Sequence, residues 1–132
     1  MFINGKFTSG NTREEIPVLN PATEEIFGEA PRGTREDADA AVASAMAAFQ
    51  QWHRTPAPER AAALHQVADK IRAHHDEIVR LLTEEEGKPV PENEEEVWWA
   101  EETFDYYAEL GRHDRGWVLP PGDPAQFNFV LK

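Results

Sequence analysis

The sequence of 132 residues contains no cysteine. Disulfide bonds, thiolate metal sites and a cysteine nucleophile are therefore excluded from this chain. Serine occurs only at Ser9 and Ser44, and neither lies in a Gly-x-Ser-x-Gly setting, so serine-type acyl transfer has no support. Two common kinds of nucleophilic catalysis are thus missing from the sequence.

Positive charge is also scarce, with 13 lysines and arginines against 25 aspartates and glutamates and a formal net charge of -12. Such a chain repels phosphate backbones and anionic lipids, which argues against nucleic-acid and membrane partners. No apolar run approaches the roughly 18 residues that span a bilayer, and the first ten residues lack a basic stretch followed by an apolar one. We therefore expect a cytoplasmic protein.

Glycine is present but forms neither of the common phosphate-binding motifs. Gly-x-Gly-x-x-Gly does not occur, and Gly87-Lys88 is followed by Pro89, where a P-loop needs serine or threonine. We expect no nucleotide cofactor for this chain alone. None of the five histidines forms an i, i+4 zinc pair with a suitable acid, and we interpret all of them as solvated or capping residues. They are His53, His65, His74, His75 and His113.

Glutamates crowd the region from 84 to 102, beside Trp98 and Trp99. Two acids at a fixed gap next to a tryptophan platform are also what a glycoside hydrolase uses, so a hydrolase site is the alternative interpretation of this region. Acids on a helix that carries basic partners more often form a solvated face, and Trp98 fits the apolar stripe as a core residue. We favour the solvated face.

The first 31 residues read as short strands. Asn4-Gly5 is a strong hairpin signal, and two further extended stretches flank Asn20-Pro21. This pattern predicts a small antiparallel meander.

Three helices are predicted after the strands. The first begins at the cap Thr34, with an acid three residues later as in a capping box, and runs to about Phe49 with an apolar face of Val42, Ala45, Met46 and Phe49. The second runs from about residue 57 to a left-handed stop at Gly87, and the third from about 92 to 110. We expect one buried stripe to join the last two helices. Its members are Leu64, Ile71, Ile78 and Leu82 on one side and Val97, Phe104 and Tyr107 on the other.

The carboxyl-terminal residues turn extended again. Trp117-Val118-Leu119 and the segment 127–131 are β-prone and flank a proline-rich turn, which predicts a hairpin with an exposed final strand. From the residues alone, the fold class is α+β, with short antiparallel strands, three helices and a carboxyl-terminal hairpin.

A set of short sequence motifs, in this order along the chain, resembles the amino-terminal segment of the aldehyde dehydrogenase superfamily. In chain order these are Phe2-Ile3-Asn4-Gly5-Lys6-Phe7, Pro17-Val18-Leu19-Asn20-Pro21, Glu36-Asp37-Ala38-Asp39-Ala40, Pro58-Glu59-Arg60, Glu86-Gly87-Lys88-Pro89 and Phe104-Asp105-Tyr106-Tyr107-Ala108, followed by the final hairpin. The set extends over nearly the whole chain.

The resemblance implies part of an α/β, Rossmann-like enzyme. Residues 1–114 would belong to the NAD(P)-binding domain, and 115–132 would begin an oligomerisation hairpin. The parent enzyme would oxidise an aldehyde to an acid with NAD or NADP through a cysteine thiohemiacetal. The family's catalytic and coenzyme-contacting residues lie beyond the matched segment, so none is assigned here and the isolated chain is expected to be inactive.

Two family features do fall on this chain. The resemblance implies a monovalent cation bound by the backbone carbonyls of Val18 and Leu19 and by the carboxylate of Glu85, although family members commonly carry aspartate at the last position. It also implies partners for residues 115–132: further copies of the chain, or the carboxyl-terminal part of the enzyme. The alternative function is a non-catalytic interaction module that binds another chain.

Overall fold

The computed structural model describes residues 1–113 and 116–131, in which six short strands and four helices follow one another. The strands are β1 (Phe2–Ile3), β2 (Lys6–Phe7), β3 (Glu15–Leu19), β4 (Ile26–Pro31), β5 (Trp117–Leu119) and β6 (Asn128–Val130). The helices are α1 (Arg35–Trp52), α2 (Ala57–Ala73), α3 (His75–Glu86) and α4 (Val90–Leu110). The α+β class is confirmed.

The strands form three separate antiparallel pairs, β1 with β2, β3 with β4, and β5 with β6. The hairpin expected at Asn4-Gly5 is therefore present, and the two extended stretches that flank Asn20-Pro21 pair with each other, but the continuous meander is wrong. Between β2 and β3, Gly10 and Arg13 adopt left-handed backbone conformations with φ of 84° and 56°. These turns interrupt the extended chain before it can add β3 to the first pair.

The expectation of three helices is also wrong, because the predicted second helix is two. It breaks at His74, whose φ of -113° and ψ of 16° lie outside the helical region. The first piece ends with Lys70 and Arg72 in its last turn, and the second begins with Asp76 and Glu77 in its first turn. Each set of charges interacts favourably with the dipole of the helix end on which it lies, so these charges stabilise the two helix ends at the break.

The chain divides into two compact units. One contains Met1–Thr55 and His74–Val97, and its buried side chains include Val79, Asn93 and Val97. The other contains Pro56–Ala73 and the chain from Trp98 onward, and it buries Ala61, Ala68, Glu101 and Ala108. Helix α4 contributes residues to both units.

The predicted apolar stripes are only partly buried. Val97 is 3% exposed, whereas Tyr107, assigned to the same stripe, is exposed, and Leu64, Ile71, Ile78, Leu82 and Phe104 are half-buried. The apolar face predicted for α1 is uncovered, since Val42, Met46 and Phe49 are all exposed. Periodicity therefore predicted burial correctly for Val97, but not for Tyr107 or for the face of α1.

No helix of the described residues has the length and apolar character needed to cross a membrane. The carboxyl-terminal hairpin is confirmed as an antiparallel pair in which Val118 lies opposite Phe129. Arg115 and Lys132, the predicted limits of that arm, lie outside the described residues.

Candidate functional site

The turn after β3 packs against the end of α3. Asn20 closes this turn, because its side-chain Oδ1 accepts the N–H of Ala22 at 2.9 Å. Gly87 ends α3 in the left-handed conformation, with φ of 72°. A Cβ added to Gly87 would lie 2.6 Å from Cγ of Pro21. The motif that contains Pro21 therefore contacts the motif that contains Gly87 at a point where only a glycine fits without displacement of its neighbour.

The three residues expected to hold a cation flank this contact. Leu19 lies two positions before Pro21, and Glu85 lies two positions before Gly87. Val18 is half-buried, whereas Leu19 and the Glu85 side chain are exposed. The pairing of β3 with β4 shifts register between Val18 and Leu19, and such irregularities release backbone groups from a regular ladder. Carbonyl and carboxylate oxygens are the donors that hard cations prefer, so the donor set fits the chemistry.

The start of α1 is closed by a reciprocal cap. The backbone N–H of Asp37 donates to Oγ1 of Thr34 at 3.2 Å, and Oδ2 of Asp37 accepts the N–H of Thr34 at 2.9 Å. The same oxygen accepts the N–H of Asn11 at 3.4 Å, which joins the loop between β2 and β3 to the helix. These backbone donors, that of Thr34 foremost, hold the pKa of Asp37 below its usual value. The predicted capping box is confirmed.

Helix N-termini attract phosphates, but acids occupy the first turns here. They are Glu36 and Asp37 in α1, Glu59 in α2, Asp76 and Glu77 in α3, and Glu92 in α4. A carboxylate in the first turn competes for the positive end of the helix dipole and repels a pyrophosphate. The acids in the first turns of the four helices therefore disfavour a phosphate at these helix ends.

Asn93 is a buried polar residue that sequence reasoning missed. Its side-chain amide donates to Oγ1 of Thr83 at 2.9 Å and to the carbonyl oxygen of Lys88 at 3.3 Å. These bonds fasten the start of α4 to the end of α3 and to the loop after Gly87. Its Oδ1 has no hydrogen-bond partner among the described residues, although the side chain is fully buried. No local pattern marks an isolated asparagine in a helix as buried.

The second unit contains a charged cluster between α2 and α4. His65 lies between two acids of α4, with Nδ1 2.6 Å from Oδ1 of Asp105 and Nε2 2.8 Å from Oε1 of Glu109. Arg72, two turns further along α2, reaches Oδ2 of Asp105 at 3.2 Å and Oε2 of Glu101 at 3.3 Å. The expectation of a merely solvated or capping histidine is wrong for His65. Its acceptors lie 40 and 44 residues away, beyond the reach of a local pattern.

Four aromatic side chains form an exposed surface on α4: Trp98, Trp99, Tyr106 and Tyr107. Trp98 was expected in the core, and that expectation is wrong, since half of it is exposed. The hydrolase alternative required a facing pair of acids beside the tryptophans. The groove that these rings line contains one acid, Glu102, together with Thr103. The observed arrangement is an aromatic surface on a helix.

Comparison with known proteins gives a consistent result. The model of the aldehyde dehydrogenase family matches residues 7–132. Mitochondrial succinate-semialdehyde dehydrogenase of Arabidopsis thaliana is 38% identical over 131 residues, which is 98% of this chain and 25% of that protein. Malonate-semialdehyde dehydrogenase 3 of Geobacillus kaustophilus is 36% identical over 119 residues, or 90% of this chain and 25% of the relative.

Comparison with solved structures gives the same result as comparison of sequences. Succinate-semialdehyde dehydrogenase from Burkholderia pseudomallei superposes with a TM-score of 0.93 at 31% identity, covering 98% of this chain and 27% of that one. The NAD-dependent benzaldehyde dehydrogenase from Corynebacterium glutamicum gives a TM-score of 0.88 at 28% identity, covering 98% and 28%. The chain thus spans about a quarter of the length of the relatives it matches.

Proposed function

The chain belongs to the aldehyde dehydrogenase family, and from this premise we propose that it supplies the amino-terminal scaffold of an NAD(P)-dependent enzyme that oxidises an aldehyde to a carboxylic acid. The observation that carries the proposal is the match of nearly the whole chain, in sequence and in backbone, to one quarter of such enzymes. The motif residues described above hold turns and helix ends together. Their role in the parent enzyme is to position elements.

The reacting groups must come from the rest of that enzyme. This chain has no thiol to attack a carbonyl carbon, and the acids in the first turns of its helices would repel a coenzyme phosphate. We therefore expect the isolated chain to produce no NADH or NADPH from any aldehyde. Its contribution to catalysis would be structural, through the orientation of the segments that follow it.

Reconstitution tests the proposal. The chain is expressed alone and together with the carboxyl-terminal three quarters of a close relative, and aldehyde-dependent NADH formation is measured in both samples. Activity is expected in the paired sample only. The matched control replaces Gly87 by valine, which should disrupt the Pro21 contact and reduce recovery. Activity of the chain alone would contradict the proposal.

The second candidate function, a non-catalytic interaction module, draws support from the exposed aromatic surface of α4 and from the exposed Phe127, Phe129 and Leu131 of the hairpin region. The same experiment distinguishes it. Stable binding of the paired segment without recovery of activity would favour the interaction module. Either function requires a partner, and we assign to residues 115–132 the contact with another copy of the chain or with the remainder of the enzyme.

We also propose that the Pro21–Gly87 contact supports a monovalent cation site formed by the carbonyls of Val18 and Leu19 and the carboxylate of Glu85. The register shift in β3 and the shared oxygen chemistry support this assignment. Binding to the folded state alone raises stability with cation concentration. Potassium or sodium should therefore raise the melting temperature more than tetramethylammonium at equal ionic strength. The Glu85→Gln variant should lose this difference, whereas Glu77→Gln should keep it.

A further inference from the structure

The His65 cluster has a geometry that depends on the charge of one ring. Both ring nitrogens of His65 lie within hydrogen-bonding distance of carboxylate oxygens, those of Asp105 and Glu109. An ionised carboxylate only accepts hydrogen bonds, and a neutral imidazole has one N–H donor. Both contacts are therefore satisfied together only when the ring is an imidazolium carrying a proton on each nitrogen.

We propose that His65 is a proton-dependent clasp, which holds the last turn of α4 to α2 while its ring is charged and releases Glu109 when the ring loses a proton. Nothing in the family assignment requires this role. The clasp lies within one compact unit of the fold and concerns α2 and α4 alone.

Glu109 is the contact that opens, for two reasons. Its side chain is 57% exposed, against 34% for Asp105, so water can replace its bond to the ring at lower cost. Glu109 also has another cationic neighbour, since its Oε2 lies 3.9 Å from Nε of Arg112. Asp105 remains held by Arg72 whatever the charge of His65, because an arginine keeps its proton at all relevant pH.

The charges around the clasp favour the closed state near neutral pH. On α4 the ring faces Asp105 and Glu109, with Glu101 one turn earlier; on α2 its neighbours are Asp69 and Arg72, which are themselves paired at 2.9 Å. Beyond α4, Arg112 and His113 act on Glu109. The hydrogen bonds to Asp105 and then Glu109 raise the pKa of His65. The bond from His65 is also the main cause that lowers the pKa of each acid.

The direction of the pH dependence follows from these shifts. A histidine whose pKa is raised by folding contributes stability that is complete below its unfolded pKa of about 6.5 and is lost as pH rises through the folded value. The two acids, with lowered pKa, contribute stability that is lost as pH falls through their folded values. The clasp is therefore closed in mildly acidic to neutral solution and opens on the alkaline side.

Histidine titration by NMR is the direct test. The pKa of the His65 imidazole is measured in the full chain between about pH 5 and pH 9, with its signal assigned from the His65→Gln variant. We expect this pKa to lie above the ordinary histidine value of about 6.5, because both ring nitrogens face carboxylates. His74→Gln, which removes an exposed contact with Glu77 at 3.1 Å, is the matched control and should leave the value unchanged. An unshifted His65 would overturn the proposal.

The acids provide a second line of test that does not require His65 to be replaced. Glu109→Gln should lower the pKa of His65 while leaving the Arg72 contacts in place, and Asp105→Asn should lower it further. Glu77→Gln is the control and should leave His65 unchanged. If the pKa of His65 does not move in Glu109→Gln, the ring is not clasped by Glu109 and the proposal fails.

Hydrogen exchange shows whether the turn is released. The N–H of Gly111 is bonded to the carbonyl oxygen of Tyr107 at 3.2 Å, and that of Arg112 to the carbonyl oxygen of Glu109 at 3.1 Å. After correction for intrinsic rates, protection of these amides should fall several-fold as pH rises through the pKa of His65. Wild type and His74→Gln should behave alike, and Glu109→Gln should show low protection throughout. Constant protection in the wild type would contradict release.

Discussion

Gly87 packs so closely against Pro21 that a Cβ atom on the glycine would lie 2.6 Å from Cγ of the proline ring. Gly87→Ala should therefore lose stability twice, once from this collision and once from its left-handed φ of 72°, which costs a non-glycine residue roughly 1–3 kcal/mol. Gly5→Ala is the matched control, because its φ is 73° but nothing lies within 4 Å of the added atom. Urea unfolding should show the larger loss in Gly87→Ala, and equal losses would mean that the proline moves freely aside.

The cap of α1 provides the second prediction. Thr34→Ala removes the oxygen that accepts the N–H of Asp37, and loss of such a cap typically costs about 1 kcal/mol. Thr103→Ala, in an exposed interior position of α4, should be neutral or slightly stabilising, since alanine favours helices. The free energy of unfolding from urea titration measures both. A Thr34→Ala chain as stable as the wild type would show that Asp37 and Asn11 close this helix end without the hydroxyl.

Buried and exposed valines allow a matched comparison. Val97 is 3% exposed and Val42 is 63% exposed, yet both lie on predicted apolar stripes. Val97→Ala should lower the free energy of unfolding by about 2 kcal/mol through lost burial and the cavity left behind. Val42→Ala should change it by less than roughly 0.5 kcal/mol, as for other surface positions. Similar losses in the two variants would mean that the face of α1 is covered in solution.

Asn93 should not tolerate a charge. In Asn93→Asp, a carboxylate replaces an amide that donates to Thr83 and to the Lys88 carbonyl, so acceptors would face acceptors in a fully buried position. An unsatisfied buried polar group costs roughly 1–3 kcal/mol, and a charged one costs more. Gln66→Glu adds the same charge on an exposed part of α2 and is expected to be nearly neutral. If both variants unfold at the same urea concentration, the site of Asn93 admits water.

The fifth prediction is that the chain associates with itself through the hairpin of β5 and β6. In the described residues β5 and β6 form a sheet of two strands, so each has an edge that no third strand covers, and Phe129 and Leu131 are exposed beside it. The net charge of -12 opposes association, but salt at about 0.15 M screens charges beyond roughly 8 Å. Sedimentation should therefore show concentration-dependent larger species at high salt, and removal of residues 125–132 should abolish them. A monomer at high concentration in both low and high salt would refute this.

Local sequence patterns were sufficient to predict the features that depend on interactions between neighbouring residues. The cap at Thr34, the turn at Asn4-Gly5 and the stop at Gly87 each involve residues within a few positions of one another, and all three are present. The break at His74 was missed because no proline or glycine marks it. A signal was available: basic residues ending one helix and acids beginning the next, at Arg72 and Asp76.

Contacts between residues that are far apart in the sequence could not be predicted from local patterns. The pairing of His65 with Asp105 joins helices 40 residues apart, and the sequence shows only a histidine on one amphipathic helix and an acid on another. The burial of Asn93 likewise depends on how α3 and α4 pack. Exposure of Val42 and Trp98 depends on what surrounds the chain, which periodicity does not specify.

The order of partners along α2 and α4 also fixes how far one helix can slide past the other. His65 pairs with Asp105 and Glu109, and Arg72 pairs with Asp105 and Glu101. The two helices are therefore antiparallel, and their opposite charges are aligned with one another. A displacement by one helical turn, about 5.4 Å, would leave a cation or an acid without its counterpart at one end of the row. The charge pattern therefore selects a single register for the two helices, because the buried apolar residues of this unit, Ala61, Ala68 and Ala108, are too small and too alike to select one themselves.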